Sequence, residues 1–558
     1  MAVVNKTAKL SKFVSTGKPA ILITAPFEPY VLSQLKKIDE LSYLGDNRWS
    51  CPYLVNTLKK LNGMGFSLSE KLEAALRTET NKQNEVLVGG FNVPGLQGTL
   101  LPFQQIGVML LEKMGGNALL ADDMGLGKTI QALAWLQLHF KLRPVVIVVP
   151  ASLKIKWKRE TLKWIQDKNV QILSGTKSKK ITNASIIIVN YDILANDYVK
   201  EVNNKGKEVM REIPYTGWVD YIAEVHPKVL IADEVQFFKN DAAARTKGVK
   251  KLAQKIPYKI LISGTPGERP IQIFNAWKMI DPLCPDRWRF GMRYCGAKNN
   301  GFGWDFNGKS NLPELHAKLS RIMIRRLKRD VLPDLPEVTY DYLPLELTNR
   351  KEYTEAENNF IAWIRRTRGV DAAERASQAE QLNQITALKK LAVQGKLVNI
   401  IAWIDNFLEA TDRKLVVFAH HKEIISAIHS HFGSKITRKI DGSETRRQEA
   451  VDAFQNEDTV RLIVISEAGG VGLDLFAASN LLIVEWPWGP ELLDQVIARV
   501  DRMGQKNAVT IHCSIAEDTI EEKIAALIDE KRKVFNAMMD GKDTDASALI
   551  SELIKEYS

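Results

Sequence analysis

The stretch Ala121-Asp-Asp-Met-Gly-Leu-Gly-Lys-Thr129 decides the fold. It follows a short apolar run, Asn117 to Ala121, and opens an amphipathic stretch, Thr129 to Phe140, that predicts a helix. A strand, a glycine-rich loop and a helix in this order form a phosphate-binding loop, in which Gly125 and Gly127 permit tight turns and backbone N–H groups point at phosphate. We therefore predict that this loop binds a nucleoside triphosphate.

Two side chains of the loop have defined roles in this prediction. Lys128 neutralises the β- and γ-phosphates, and the Thr129 hydroxyl holds Mg²⁺. Asp122 replaces the usual first glycine, so the simple pattern is not met. Gln104, upstream of the loop, is a candidate for holding adenine through its amide. The expected ATP contacts in the loop are Ala121, Asp122, Asp123, Met124, Gly125, Leu126, Gly127, Lys128 and Thr129.

A second acidic motif, Asp233-Glu234, ends the apolar run Val229 to Ala232. In a nucleotide site Asp233 orients the Mg²⁺ shell, and Glu234 orients and deprotonates the attacking water. The alternative is an exposed acidic turn, which the phosphate-binding loop upstream disfavours.

Arg499 and Arg502 lie in the segment Gln495 to Gln505, far from the loop in sequence. We expect them on one face of a helix, one turn apart, where an arginine can stabilise charge on the γ-phosphate. Surface salt bridges are the alternative. A site using both segments must form between two lobes, and Ser263-Gly-Thr-Pro266 can sense γ-phosphate loss from its other side.

Composition limits the class of protein. The chain has 558 residues, enough for two large domains plus smaller pieces, and 45% of them are hydrophobic. No apolar run is long enough to span a bilayer. Four cysteines without a Cys-x-x-Cys pair disfavour structural zinc and a disulfide framework. The net charge of +11 favours a polyanionic partner.

Alternation of apolar strands and amphipathic helices from about residue 98 predicts an α/β fold with parallel sheets. The predicted strands are Asn117–Ala121, Val145–Val149, Ser185–Val189, Val229–Ala232, Ile260–Ser263, Lys414–Ala419, Arg461–Ile465 and Leu481–Glu485. The predicted organisation is two doubly wound lobes joined by a helical connector. Its parts are a small N-terminal module (1–95), lobe 1 (96–283), the connector (284–395), lobe 2 with a long brace helix from Asp518 to Met539 (396–540), and a flexible tail (541–558).

These segments together resemble the Swi/Snf family of the second helicase superfamily, ATP-driven DNA translocases with two RecA-like lobes. The ordered match comprises Pro102–Gln104, Asp122–Thr129, Pro150–Ser152 with Trp157, Asn190-Tyr191, Asp233–Gln236 with Lys239-Asn240, Ser263–Pro266, Phe418–His420, Asp441–Ser443, Glu467–Leu473 and Gln495–Gln505. It covers residues 98 to 535.

The resemblance implies ATP and Mg²⁺ as cofactors and adds Gly472 to the ATP contacts. It also implies coupling of the ATP and DNA sites through Gln236, Ser263, Gly264, Thr265 and Gln495. The implied DNA contacts are Ser152, Lys154, Trp157, Asn190, Lys239, Asn240, Arg245, Arg325, Arg326 and Lys328; solvated charge is the alternative for each. Phosphate contacts carry no sequence information, so binding without sequence preference is expected.

The connector resembles that of HARP-type annealing helicases in the runs Arg293–Lys298, Gly303–Phe306, Ser310–His316 and Ile324–Pro333. Residues 20 to 75 are similar, more loosely, to a HARP-like substrate-recognition domain; the alternative is a small helical cap. Tyr30 to Ile38 predicts an amphipathic helix in this module. Four positions depart from the family pattern: Gln236 and Asp501 replace histidines, Gly267-Glu268 replaces a leucine–glutamine pair, and Asp474 replaces an asparagine.

The sequence thus predicts a DNA-dependent ATPase that translocates on duplex or branched DNA and anneals or remodels forks. One rival is the same motor displacing bound proteins from DNA; another is a non-catalytic nucleic-acid-binding scaffold. We expect a monomeric motor with no membrane contact and a single-strand-binding protein as a candidate partner. The expected compartment is the cytoplasm of a bacterium or a virus-infected cell, or the nucleus in a eukaryote.

Overall fold

The structure is a computed structural model that describes most of the chain. The described residues are 6–12, 19–25, 31–32, 35, 38, 41–53, 57–58, 61, 66–73, 91–175, 180–202, 208–299, 301, 303–332, 335–367, 374–442, 444, 446–467 and 472–541. The predicted flexible tail after Gly541 lies outside them, as do Tyr30, Ser443 and residues 468–471 of the family motifs.

The N-terminal module is built on a five-stranded sheet. Its strands are β1 (Thr7–Lys12), β2 (Pro19–Thr24), β3 (Ser42–Gly45), β4 (Arg48–Pro52) and β5 (Ser67–Leu68), in the order β3-β4-β2-β1-β5. The helical-cap alternative is therefore wrong, because the apolar run around Ile21 and Ile23 forms a central strand of this sheet. Of the predicted helix from Tyr30 to Ile38, Val31, Leu32, Leu35 and Ile38 are described. Val31, Leu35 and Ile38 are buried in the module's own core, and Leu32 packs against it.

Lobe 1 contains a seven-stranded sheet in which every pairing is parallel. The strands from lobe 1 are β6 (Asn117–Leu120), β7 (Val145–Val149), β8 (Val170–Ile172), β9 (Ile186–Asn190), the hairpin β10 (Asp197–Val202) and β11 (Glu208–Ile213), β12 (Val229–Asp233), β13 (Tyr258–Ile262), the hairpin β14 (Lys298–Asn299) and β15 (Trp304–Asp305), and β16 (Met323–Ile324). The sheet order is β16-β6-β13-β12-β7-β9-β8. Helices cover both faces, which is why its inner strands are continuous apolar runs.

The helices of lobe 1 follow the predicted alternation. They are Pro102–Lys113, Lys128–Leu138, Lys154–Trp164, Tyr191–Leu194, Val219–Glu224, Ala244–Lys255, Pro270–Ile280, Arg287–Tyr294 and Leu312–Leu319, with 3₁₀ turns at Ala151–Leu153 and Val235–Phe238. The helix predicted from Thr129 to Phe140 is Lys128–Leu138.

Lobe 2 contains a six-stranded sheet, also parallel throughout. Its strands are β17 (Val338–Leu345), β18 (Leu415–Phe418), β19 (Thr437–Ile440), β20 (Leu462–Ile465), β21 (Asn480–Ile483) and β22 (Val509–Ala516), in the order β17-β22-β21-β18-β20-β19. Its helices are Arg350–Thr367, Glu374–Ala410, Lys422–Ile436, Arg447–Asn456, Pro490–Ile497 and Ile520–Asp540. The prediction of two doubly wound parallel-sheet lobes is confirmed.

The predicted connector at 284–395 does not form a unit of its own. β16 pairs with β6 at the edge of the lobe 1 sheet, and β17 pairs with β22 at the edge of the lobe 2 sheet. The chain therefore passes from lobe 1 to lobe 2 in the short segment between Ile324 and Val338, which contains the helix Lys328–Val331. We call it the crossover segment. The helical content expected on both sides of it belongs to the two lobes.

The brace helix, Ile520–Asp540, packs into the cores of both lobes. Ile524, Ala525 and Ile528 lie in the lobe 2 core, whereas Phe535, Met538 and Met539 lie in the lobe 1 core. Asp540 accepts a hydrogen bond at 2.8 Å from Nε of Arg325, the residue that follows β16 of lobe 1. One helix thus joins the lobes over its full length.

Within the described part of the chain, no helix has the length and apolar character needed to cross a bilayer.

Candidate functional site

The phosphate-binding loop lies between β6 and the helix Lys128–Leu138, as predicted. Gly125 and Gly127 have φ of +87° and +74°, a left-handed conformation that side chains other than glycine rarely adopt. Nζ of Lys128 donates to the backbone carbonyls of Asp122 (2.8 Å) and Asp123 (3.1 Å). Burial lowers the pKa of Lys128, while the surrounding carboxylates oppose that shift. No carboxylate of the described residues forms an ion pair with this ammonium, so its charge remains available to an anion.

Asp122, at the position of the missing glycine, turns its side chain away from the loop. Its buried carboxylate pairs with Arg326, whose Nε donates to Oδ1 at 2.9 Å, and accepts from Nε2 of Gln131 at 3.1 Å. Arg326 also donates to Gln131 Oε1 at 2.7 Å. The aspartate therefore fixes the crossover segment to the loop, and its backbone carbonyl, not its side chain, meets Lys128.

The acidic pair lies at the carboxyl end of β12, beside the loop. Oδ2 of Asp233 accepts from Nε1 of Trp157 at 2.8 Å, and burial together with Glu234 raises the pKa of Asp233 to about 7. Glu234 has φ of +57°, an unfavourable backbone conformation for a residue with a side chain. Strain of this kind is typical of functional sites, where the surrounding structure holds a side chain in place.

A hydrogen-bonded relay leads from Glu234 to the end of β13. Gln236 Nε2 donates to Glu234 Oε2 at 2.8 Å, and Ser263 Oγ donates to Gln236 Oε1 at 2.8 Å. The backbone N–H of Thr265 donates to Ser263 Oγ at 3.0 Å, and Gly264 follows Ser263 directly. The structure thus joins the residues named for coupling in lobe 1. Gln495, the coupling residue named in lobe 2, is half-buried on the helix Pro490–Ile497.

Arg499 and Arg502 face the loop from lobe 2, but they are not on a helix. The helix Pro490–Ile497 ends before them, and they lie in the turns that follow, so the predicted helical spacing is wrong. Both guanidinium groups lie 3.4 Å from the carbonyl oxygen of Leu473, and Arg502 pairs with Asp474. Burial and the neighbouring Arg502 lower the pKa of Arg499 to about 10.

One of the cavities between the two lobes has a volume of about 490 Å³ and is lined by residues of the loop, the acidic pair and both arginines. A Cβ added to Gly125 would lie 3.4 Å from Cβ of Arg502, and one added to Gly472 would lie 2.4 Å from Leu153. Gln104 lies at the same cavity, where its Nε2 donates to the Leu126 carbonyl at 3.3 Å. The predicted residues that line the cavity are Gln104, Met124, Gly125, Gly127, Lys128, Thr129, Trp157, Asp233, Glu234, Gly472, Arg499 and Arg502.

Sequence reasoning missed Lys156, which joins the lobes at this cavity. Its Nζ donates to the carbonyl of Gly472 at 2.9 Å and lies 3.3 Å from Asp474. The sequence indicated Lys156 only through its place in a basic stretch, three residues after Leu153. Other cavity residues that the sequence did not indicate are Thr99, Leu101, Glu160, Lys163 and Trp164.

Three acidic departures from the family pattern join the lobes through ion pairs. Asp474 contacts Lys156 and Arg502, as described above. Asp501 pairs with Lys328 of the crossover segment at 2.5 Å, and Glu268 lies 3.3 Å from Lys531 of the brace helix. These three acidic positions therefore lie where lobe 2 contacts lobe 1 or the crossover segment.

Several residues named as DNA contacts follow neighbouring strands at one edge of lobe 1. β9, β7 and β12 are adjacent and parallel, so the segments after them meet at their carboxyl ends. Ser152, Asn240 and Arg245 are exposed there. Other residues of this edge already have protein partners: Lys154 donates to Leu173, Asn190 donates to Asp192, and Lys239 lies 3.7 Å from Glu491 of lobe 2.

Four predicted DNA contacts are corrected by their burial and their partners. Trp157 is 2% exposed and bonds Asp233 in the interior of the site. Arg325 pairs with Asp123 and Asp540, Arg326 with Asp122, and Lys328 with Asp501. This basic run is neutralised by carboxylates around the loop and the lobe interface. It does not form the exposed surface that a phosphate backbone requires.

Comparison with known proteins agrees with this geometry. The SNF2-related domain family matches residues 103–397, and the helicase conserved C-terminal domain family matches residues 395–504. The chain is 31% identical over 493 residues to the human protein "DNA annealing helicase and endonuclease ZRANB3", covering 85% of this chain and 43% of that protein.

It is 32% identical over 450 residues to the cattle (Bos taurus) "SWI/SNF-related matrix-associated actin-dependent regulator of chromatin subfamily A-like protein 1", covering 79% of this chain and 45% of that protein. A Caenorhabditis elegans homologue of the latter is 29% identical over 557 residues, covering 94% and 75%. The chain thus spans less than half the length of the first two relatives. Because the SNF2-related match covers more than half of the chain and the second match follows it through lobe 2, the chain belongs to the SNF2-related family.

Proposed function

We propose that the protein is a DNA-dependent ATPase that translocates on duplex or branched DNA and anneals or remodels forks. The family relationship implies the use of ATP. The observation that carries the proposal is the cavity at which the loop and the Asp233-Glu234 pair of lobe 1 face Arg499 and Arg502 of lobe 2.

The residues at this cavity fit a magnesium-bound triphosphate. Gly125 and Gly127 adopt the left-handed conformation of a phosphate cradle, and the Lys128 ammonium has no carboxylate partner in an ion pair. Thr129 and Asp233 would hold Mg²⁺, which supplies charge neutralisation at the phosphates when bound. Glu234 would orient and deprotonate the attacking water. A movement of Glu234 would be transmitted to Ser263 through the hydrogen bonds of Gln236.

Lobe 2 contributes positive charge to the same reaction. Arg499 and Arg502 would stabilise negative charge that develops on the transferred phosphoryl group. Hydrolysis leaves an anionic phosphate in the cavity, and its release would remove the negative charge that holds the arginines to the loop. The lobes would then separate, and alternating grip by the two lobes would move DNA past the edge formed after β7, β9 and β12.

The preference for forks rests on relatives and on the N-terminal module. One relative is named as a DNA annealing helicase, and the alignment with the C. elegans homologue covers 94% of the chain. The module has its own sheet and core, so it can recognise DNA structure without altering the catalytic cavity. The endonuclease activity in the relative's name is not part of this proposal, and the cellular compartment stays a prediction.

Phosphate release measured with single-stranded, duplex and forked DNA tests the ATPase. We expect DNA to stimulate the wild-type protein and Glu234→Gln to bind ATP but turn over about 10²–10⁴-fold more slowly, because the amide lacks a base. Glu224→Gln, an exposed acid of the same lobe, is the matched control and should retain full turnover. Absence of DNA-stimulated release by the wild type would instead support a nucleic-acid-binding scaffold.

Removal of residues 1–95 tests the fork preference. Every proposed catalytic residue lies beyond Leu100, so basal ATPase should persist and serves as the folding control. Stimulation by forked DNA and rewinding of partly opened duplexes should be lost, most clearly at moderate salt, where nonspecific phosphate binding by the lobes is weaker. Unchanged rewinding by an active truncated protein would refute this role, and protein displacement from duplex DNA would then be the function to measure.

A further inference from the structure

An exposed aromatic surface on lobe 1 lies outside the nucleotide cavity. Trp288 and Trp304 are 50% and 40% exposed, and their ring centroids are 5.3 Å apart in an edge-to-face arrangement. Phe306 meets Trp288 at 5.8 Å, also edge to face. We call these three rings the aromatic platform. Exposed tryptophans are costly to leave in water, and a pair of them in contact indicates a binding surface.

The platform is held rigidly by the core of lobe 1. Trp288 is on the helix Arg287–Tyr294, whose Phe290 is fully buried and packs edge to face on Phe274 and Trp277. Trp304 is on the hairpin of β14 and β15, where it pairs with Asn299. The exposed rings therefore project from a fixed helix and a fixed hairpin.

A glycine allows the helix and the hairpin to approach this closely. A Cβ added to Gly291 would lie 2.5 Å from the ring of Phe306, a distance that side chains do not tolerate. Arg269 anchors the other end of the hairpin by donating to Asn307 at 3.2 Å. The rings thus occupy a prepared position, which reduces the entropy lost when a ligand binds.

The charge around the rings selects an anionic ligand. Between residues 286 and 309 the chain has five lysines and arginines and two acids, and one of the arginines, Arg293, pairs with Glu314 outside this stretch. Arg289, beside Trp288, forms a surface ion pair with Asp286 at 3.3 Å but is 81% exposed on its side chain, and Lys298 is exposed on the hairpin. Flat rings interleaved with solvated cations match a polyanion that carries stackable bases. A duplex hides its bases within the stack, so the ligand must have unpaired bases.

We propose that the aromatic platform binds single-stranded DNA, by stacking bases on Trp288 and Trp304 while Arg289 and Lys298 contact the phosphates. Stacking accepts every base, so binding has no sequence preference. The site is separate from the nucleotide cavity, and binding requires no ATP. At a fork, it would hold an unpaired strand against lobe 1.

Quenching of tryptophan fluorescence by an oligo-dT strand, without nucleotide, measures this binding. Trp288→Ala and Trp304→Ala should each weaken affinity roughly 5- to 150-fold, as for loss of one stacked base. Trp288→Phe keeps a ring and should stay close to wild type. Phe140→Ala removes an exposed aromatic ring elsewhere on lobe 1 and is the matched control. Fluorescence anisotropy of a labelled strand provides the same affinities independently of the tryptophans removed.

Two further measurements keep the test decisive if a variant folds poorly. Duplex-stimulated ATPase should be unchanged in both alanine variants, which shows that lobe 1 is intact. In the wild-type protein, photo-crosslinking of a strand containing 5-iodouracil should attach to Trp288 or Trp304. Wild-type oligo-dT affinity in both alanine variants, or crosslinks confined to other segments, would overturn the proposal, whatever the outcome for ATP hydrolysis.

Discussion

A fully buried ion pair in lobe 2 allows a sharp test of what holds that lobe together. Lys396, on the helix Glu374–Ala410, and Glu521, on the brace helix, are both 0% exposed. Lys396 Nζ donates to Oε1 and Oε2 of Glu521 at 2.8 and 2.7 Å and to the Ser514 carbonyl at 3.1 Å. The Ala516 N–H donates to Glu521 at 2.9 Å. Every strong donor of the ammonium therefore has a partner.

We expect Lys396→Met to lower the free energy of unfolding by about 3–5 kcal/mol, because it leaves the Glu521 carboxylate buried and unpaired. That is a large part of the roughly 5–15 kcal/mol available to a domain. The double variant Lys396→Met/Glu521→Leu should recover part of the loss, since it removes the isolated charge. Recovery should be incomplete, because the Ala516 N–H loses its buried acceptor on Glu521 at a cost of about 1–3 kcal/mol, whereas the Ser514 carbonyl keeps its hydrogen bond from Trp486 Nε1 at 2.9 Å.

Urea unfolding followed by circular dichroism at neutral pH measures these differences. Lys390→Met is the matched control, since Lys390 lies on the same helix and pairs with Glu423 at the surface, where the side chains are 43% and 53% exposed. An exposed pair contributes about 0–1 kcal/mol, so the control should lie within that range of wild type. Equal, small losses in Lys396→Met and Lys390→Met would refute the reasoning that the buried carboxylate depends on its lysine.

Two further predictions concern the lobe interface. Arg502→Ala should reduce turnover far more than nucleotide affinity, because an arginine at the γ-phosphate acts mainly on transition-state charge; equal losses would indicate a ground-state contact, and the exposed Arg446→Ala is the control. Burial raises the pKa of Glu491 from 4.5 to about 7, so the folded protein holds a proton that the unfolded chain releases between those values. The free energy of unfolding should therefore fall by about 3 kcal/mol as pH rises through that window. Glu491→Gln should flatten this fall in a series of urea unfolding curves, and an unchanged slope would contradict the assigned pKa.

The sequence predicted the inner strands well because of where they lie. Val145–Val149 is buried along its whole length between two layers of helices, so it reads as a continuous β-branched run. β16 has two residues and β17 alternates in burial, and each is recognisable only from the strand that it pairs with. The sequence therefore predicted the number of lobes but not how residues 284–395 contribute edge strands to both sheets.

The candidate site likewise contains residues that the sequence predicted and residues whose surroundings it could not predict. The phosphate-binding loop depends on local backbone geometry at Gly125, Gly127 and Lys128. One short stretch of sequence contains all of these residues, so the loop could be predicted. Arg326 and Lys328 depend on partners about 170 to 200 residues away, at Asp122 and Asp501, and their buried pairing could not be read from neighbouring residues. The sequence therefore predicted an exposed basic surface here, although Arg326 and Lys328 form buried ion pairs with Asp122 and Asp501.

The brace helix also constrains how the protein can be made. During synthesis the residues of lobe 1 leave the ribosome first, and a domain normally folds as it emerges. Here Phe535, Met538 and Met539 fill part of the lobe 1 core, so a nascent chain ending before them has an unfilled apolar surface on that lobe. A growing chain must keep this surface from aggregating while the whole of lobe 2 is translated. Lobe 1 is thus the earlier of the two lobes to be translated and can complete its core only after lobe 2 has been made.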